Sequence, residues 1–80
     1  MGHPEVKVNF ILNDRGEITA LRLQSKGVEP GAVAVVRLTD PDGAAVFETT
    51  VVVRNPVVIT TLPEPLEASG VSEVAVVVTT

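Results

Sequence analysis

The residues best suited to chemistry in this chain are two carboxylates placed two positions apart. Asp40 and Asp42 stand in the segment Asp40-Pro41-Asp42-Gly43, and calcium-binding loops begin with a similar run of oxygen ligands. The later ligands of such a loop, including its bidentate glutamate, do not follow in the sequence. Pro41 presets the backbone for a tight turn, and Gly43 tolerates the positive φ that such a turn requires. We therefore predict a hairpin turn here rather than a metal site.

The single histidine, His3, is the next candidate, because imidazole serves as a general base and as a metal ligand. It belongs to residues 1–4, which we interpret as a short leader. The chain contains no cysteine, so a nucleophile would have to be one of the serines, Ser25, Ser69 or Ser72. None of these serines lies in a Gly-x-Ser-x-Gly elbow, and we predict no catalytic triad.

Three glutamates near the end of the chain, Glu64, Glu67 and Glu73, are candidates for the carboxylate pair of a glycosidase. Sugar sites usually carry aromatic platforms, but the chain has no Trp or Tyr and only Phe10 and Phe47. The same shortage argues against a carbohydrate-binding module and against stacking on single-stranded nucleic acid. We interpret these glutamates as solvated loop charges. We therefore assign no catalytic, cofactor-binding or metal-binding residues and expect no enzyme.

The composition of the chain, which is rich in valine and threonine, indicates which secondary-structure elements carry these residues. The 80 residues allow one domain, 1–80, and 17 of them are valine and 8 are threonine. These β-branched residues suit a pleated sheet better than a helix. The net charge is −4 and the six basic residues are scattered, which argues against a nucleic-acid partner. The longest apolar runs are about five residues, so we expect no membrane-spanning segment.

Turn signals divide the chain into short β-type segments. Val6, Val8, Phe10 and Leu12 alternate with polar residues, as expected of a half-buried strand. A turn at Asn13-Asp14-Arg15-Gly16 follows, with Gly16 in the left-handed position. The predicted strands are 5–12, 18–24, 33–39, 46–53, 57–62 and a last one that begins at Val71 or Ser72 and ends at Thr79.

The segment 63–70 contains two prolines, and we predict that it is not a strand. Short strands at this spacing predict an all-β fold, an antiparallel sandwich of six to seven strands rather than a closed barrel.

Five valines each lie on one face of a predicted strand whose opposite face already carries the apolar residues that we assign to the core. They are Val33, Val35, Val52, Val58 and Val77. A core this thin has no room for all of them. Either these strands are covered on both sides, or the valines form an exposed apolar patch, which usually marks an association surface. A strand edge offers a second route to pairing. We expect a homodimer or similar assembly through a strand edge or the valine-rich face.

The order of elements resembles an immunoglobulin-like or fibronectin type III-like domain. In that resemblance, 18–24 corresponds to strand B, 33–39 to C, 46–53 to C′, 57–62 to E and 72–79 to F or G. The resemblance covers nearly the whole chain but rests on pattern. The paired cysteines, the core Trp and the corner Tyr of immunoglobulin domains are missing.

Two origins are compatible with this pattern. The regular turns, the uniform strand propensity and charges such as Lys7, Arg37 and Glu48, which discourage edge pairing, resemble a de novo designed immunoglobulin-like sandwich. The segment 35–53 also resembles accessory sandwich domains of secreted bacterial multidomain enzymes. The favoured hypothesis is a designed structural scaffold without biochemical activity. The alternatives are a natural accessory or linker domain and a weak ligand-binding module.

Overall fold

The structure, a computed structural model, describes residues 3–79, which form six strands joined by short connections. The strands are β1 (Glu5–Leu12), β2 (Glu17–Lys26), β3 (Ala32–Thr39), β4 (Ala45–Val53), β5 (Val57–Glu67) and β6 (Glu73–Thr79). One 3₁₀ turn, Ala68–Gly70, connects β5 to β6. Within residues 3–79, no helix is long and apolar enough to cross a membrane.

The strands form two three-stranded antiparallel sheets. Sheet A has the order β1-β2-β5, and sheet B has the order β4-β3-β6. The smallest dimension of the molecule is 19 Å, which fits two stacked sheets about 10 Å apart with side chains on both outer faces. The predicted all-β, antiparallel sandwich is confirmed, with six strands. In the lettering of the resemblance, B pairs with E, and C lies between C′ and the last strand.

The core is apolar and comes mainly from the two central strands. On β3, Ala34, Val36 and Leu38 are fully buried, while the residues between them face outward because side chains alternate along a strand. On β2, Ile18 and Leu21 are equally buried. Among residues 3–79, no polar or charged side chain is buried. The rest of the core is Ala20, Leu23, Ala32, Val51, Val53 and Leu62.

The two predicted hairpin turns form as expected. Gly43 takes φ 89° and donates its N–H to the carbonyl of Asp40 at 3.0 Å. Gly16 takes φ 76° and makes the same bond to Asn13 at 3.0 Å. This combination of a type I turn with a glycine in the left-handed region matches the twist of the flanking strands.

The prediction that 63–70 is not a strand is wrong for residues 63–67, because β5 continues to Glu67. The register explains how two prolines fit. Ala20 pairs with Thr61 but Ile18 pairs with Leu66, so β5 advances five residues while β2 advances two. The extra residues bulge out of the ladder, and β5 is an edge strand. Prolines are tolerated at such positions because no ladder bond needs their missing N–H.

The prediction that Val58 lies on an outer face is also wrong. Val58 pairs with Leu23 and packs against the core, whereas its neighbour Ile59 pairs with Arg22 and is 59% exposed. The expected alternation of β1 likewise ends early, since the register shifts between Ile11 and Leu12. That shift leaves Leu12 50% exposed instead of facing the core.

The two sides of the sandwich differ in how their edge strands are connected, and we call the side without a direct strand-to-strand link the open side. Only residues 54–56 connect β4 to β5, and a link this short reaches about 14 Å at most. The edges of β4 and β5 therefore lie on the same side of the sandwich. The edges of β1 and β6 border the opposite side.

Candidate functional site

The two aspartates of the β3–β4 turn take part in the hydrogen bonds that hold this turn together. Asp40 Oδ1 accepts hydrogen bonds from the backbone N–H groups of Asp42 and Ala44, both at 2.9 Å. These bonds tie the Asp40 carboxylate to the backbone of the turn through Oδ1, and the Asp42 side chain is exposed beside them. Within residues 3–79, no group of three or more His, Cys, Asp or Glu side chains is placed to hold a metal ion.

The structure brings His3 near only one of the three serines. The carbonyl oxygen of His3 lies 3.4 Å from the position that a Cβ on Gly27 would take, so His3 is close to the end of β2 that carries Ser25. The Ser25 hydroxyl donates to the carbonyl of Pro56 at 3.3 Å. His3 itself is exposed.

The other two serines lie at the opposite end of the sandwich. Ser69 is in the 3₁₀ turn, and the backbone N–H of Ser72 donates to the carbonyl of Thr39 at 2.7 Å. Both serines are exposed. The structure therefore does not assemble His3, Ser69 and Ser72 into one site.

The three candidate glutamates are divided between the sheets. Glu64 and Glu67 belong to β5 in sheet A, and Glu73 begins β6 in sheet B. All three are exposed. The cross-strand partner of Glu67 is Glu17, whose side chain already accepts a hydrogen bond from the Asn13 amide at 3.0 Å.

A shallow depression of about 170 Å³ lies at one end of the sandwich, between the β2–β3 and β4–β5 connections. Ser25, Val28, Arg54 and Pro56 contribute to its lining. Its size is below the roughly 300 Å³ typical of small-molecule sites. It offers one charged side chain, that of Arg54, and we assign no ligand to it.

The outer face of sheet B carries the most continuous apolar surface. We define the valine face as Val33, Val35, Val52 and Val77. Val33 is directly opposite Val52, and Val35 is directly opposite Val77, so the four side chains cross all three strands without interruption. Val33 and Val35 are half-buried, whereas Val52 is 43% and Val77 is 60% exposed. Four of the five valines singled out by their pattern therefore form one patch.

An ion pair borders the valine face. Arg37 Nε lies 3.1 Å from Glu48 Oε2 across the β3–β4 ladder, and both side chains are more than half exposed. These charges lie on the same outer face as Val35, two residues farther along β3. They give the apolar patch a polar boundary at one end.

The outer face of sheet A is different in character. Ile59 is as exposed as Val77, but its cross-strand neighbour is Arg22, which in turn is opposite Asn9. In the next outward row, Val57 is opposite Gln24, and Gln24 is opposite Lys7. In these two rows the apolar residues are therefore confined to β5, and β1 and β2 contribute polar or charged side chains. One row beyond Asn9 and Arg22, Ile11 is opposite Ala20, which adds an apolar pair to this face.

No family model, curated protein or solved structure matches this chain.

Proposed function

We propose that this chain is a non-catalytic structural module, a β-sandwich scaffold that associates with a second copy of itself through sheet B. The observation that carries the proposal is the valine face, which extends across three strands and ends in the highly exposed Val77. Contiguous apolar surface of this kind usually marks an association surface, because its burial removes apolar area from water.

The structural roles of the apolar and polar side chains support a scaffold function. The apolar residues build the core and the valine face, and the side-chain oxygens of Asn13 and Asp40 build turns. The designed origin of such a scaffold stays a prediction. In the alternative, a natural accessory domain, the valine face would contact a neighbouring domain rather than a second copy.

Sedimentation velocity over a wide concentration range tests self-association. We expect the mass to rise from monomer toward dimer as concentration increases. Val77→Lys places a charge in the centre of the expected contact and should keep the protein monomeric.

Ile59→Lys is the matched control, because Ile59 and Val77 are exposed to the same degree, 59% and 60%, on outer faces of opposite sheets. It should leave the dimer unchanged. A wild-type chain that is monomeric at every concentration would overturn the proposal. Equal weakening of the dimer by both lysine variants would overturn it as well. Circular dichroism of each variant verifies that it remains folded.

A further inference from the structure

The four sheet edges differ in how well they are protected against pairing with another strand. The β5 edge contains Pro63, Pro65 and a large bulge. The β4 edge carries a bulge, because β4 advances two residues opposite the single step from Leu38 to Thr39, and the β1 edge carries the charged side chain of Lys7 within the strand. Prolines, bulges and lysines within the strand are devices by which edge strands avoid adding a further strand. Three of the four edges therefore carry such a device.

The β6 edge carries none of them. Its seven residues, Glu73–Thr79, pair with β3 in unbroken register from Glu73 opposite Thr39 to Thr79 opposite Val33. The strand contains no proline, and its one charge, Glu73, is at its first position. A regular apolar edge of this kind presents a row of backbone N–H and C=O groups to a further strand.

The core beside this edge is incompletely covered. Among residues 3–79, the buried side chains come from β2, β3, β4 and β5, and none comes from β1 or β6, the two strands that border the open side. The inward-facing residues of β6 are only partly covered, with Val74 38% exposed and Val76 and Val78 half-buried. A strand added beside β6 would cover these three valines from the open side.

A second β6 fits this position because the strand is complementary to itself. In an antiparallel pair centred on Val76, all seven residues find partners, and Val76 faces its own copy. Inward, Val74 is opposite Val78 of the second copy, and outward, Ala75 is opposite Val77. Glu73 is opposite Thr79, so no like charges meet. A register centred on any other residue pairs fewer residues of β6.

We propose that two copies of the chain pair β6 with β6 in this register, which joins their B sheets into one six-stranded antiparallel sheet. This proposal rests on the self-association proposed above and gives it one geometry, in which Val77 of the valine face lies beside the second copy, whereas Val33, Val35 and Val52 stay on the outer face of the joined sheet. The two-fold symmetry makes the interface closed, so it yields a dimer rather than a fibre. One paired strand buries little area for a protein interface, and we therefore expect a concentration-dependent dimer.

Cysteine cross-linking tests the register, because the chain contains no native cysteine. In the proposed pairing, position 75 of one copy is opposite position 77 of the other, at the 4.5–5.5 Å Cα separation that a disulfide spans. Positions 75 and 75, or 77 and 77, are about 8 Å apart, beyond the reach of a disulfide. An equimolar mixture of Ala75→Cys and Val77→Cys should form disulfide-linked dimer at least about tenfold faster than either variant alone.

A second variant separates edge pairing from stacking of the two valine faces. Val52 lies on β4, at the far edge of sheet B from β6. Val52→Lys should leave the dimer intact if the edges pair and should abolish it if the faces stack. Cross-linking of the mixture no faster than of the single variants, with dimer still seen in sedimentation, would overturn the β6 pairing alone. Absence of the dimer itself would overturn the self-association on which it rests.

Discussion

Asn13 and Asp40 occupy equivalent positions in two different hairpins and make the same set of bonds. The side-chain Oδ1 of each accepts hydrogen bonds from the N–H groups two and four residues later, each at 2.9 Å. The backbone N–H of each also bonds to the carbonyl four residues later, again at 2.9 Å. The β1–β2 and β3–β4 turns therefore have the same hydrogen-bond pattern. The acceptor oxygen belongs to an amide in the first turn and to a carboxylate in the second.

This equivalence predicts that the acceptor oxygen of Asp40 matters and its charge does not. Asp40→Ala removes two side-chain hydrogen bonds at once, and we expect a loss of about 1–2 kcal/mol in the free energy of unfolding. Asp40→Asn keeps an acceptor, as Asn13 does, and should retain most of the wild-type stability. Urea unfolding measures both. A loss for Asp40→Asn as large as that for Asp40→Ala would contradict the equivalence.

The glycine in the same turn gives a second prediction. Gly43 has φ 89°, and no atom lies within 4 Å of the position that a Cβ would take. Gly43→Ala therefore tests backbone conformation without a steric clash, and it should cost about 1–2 kcal/mol. Gly70 is the matched control, because its Cβ position is equally open and its φ is not in the left-handed region. Gly70→Ala should be neutral or slightly stabilising in the same unfolding experiment.

The core prediction uses two leucines in different environments. Leu38 is fully buried in β3, and Leu12 is half exposed at the end of β1. Leu38→Ala should lower the free energy of unfolding by about 2–5 kcal/mol, because it removes buried methyl groups and leaves a cavity. Leu12→Ala should cost far less. Ile18→Val, a smaller deletion at another fully buried site, should cost about 0.5–1.5 kcal/mol and keep the protein folded for measurement. Similar losses for Leu38→Ala and Leu12→Ala would show that the core is not where the structure places it.

The sequence was most informative about turns, because the chemistry of a turn is local. Asn13-Asp14-Arg15-Gly16 and Asp40-Pro41-Asp42-Gly43 each carry the acceptor and the glycine that their geometry needs. The orientation of β5 was harder to predict, since Val57, Val58 and Ile59 are all apolar and either alternation is compatible with them. The inward-facing side of β5 is determined by its pairing with β2, which is distant in the sequence. Val58 faces inward against Leu23, on the same sheet face as the buried residues of β2.

The strand character of 63–67 was missed for a similar reason. Two prolines argue against a central strand, but β5 has a partner on one side only and bulges at this point. Pairing of strands is a long-range property that proline content alone does not determine. The candidate association surface was better indicated, because Val33 and Val35 alternate with the buried residues of β3, and a period of two is visible in the sequence.

The Arg37–Glu48 ion pair should contribute little to stability despite its 3.1 Å separation. Both side chains are more than half exposed, with accessible fractions of 58% and 52%, so water and salt screen their attraction. Exposed pairs of this type are typically worth about 0–1 kcal/mol. A double-mutant cycle with Arg37→Ala and Glu48→Ala should give a coupling energy in that range, decreasing with added salt. A coupling well above 1 kcal/mol that does not respond to salt would contradict this estimate.

Amide hydrogen exchange distinguishes the edges of the sandwich in the unmodified protein. In the monomer, the outward N–H groups of both β1 and β6 face solvent at sheet edges and should exchange faster than those of the central strands β2 and β3. When β6 pairs with β6, its outward N–H groups donate to a second chain and become protected, whereas β1 gains no partner. Exchange in residues 73–79 should therefore slow as concentration rises, while exchange in residues 5–12 stays constant. Val77→Lys, which prevents the dimer, should remove the concentration dependence. Equal slowing in β1 and β6 would show that association does not select the one unprotected edge.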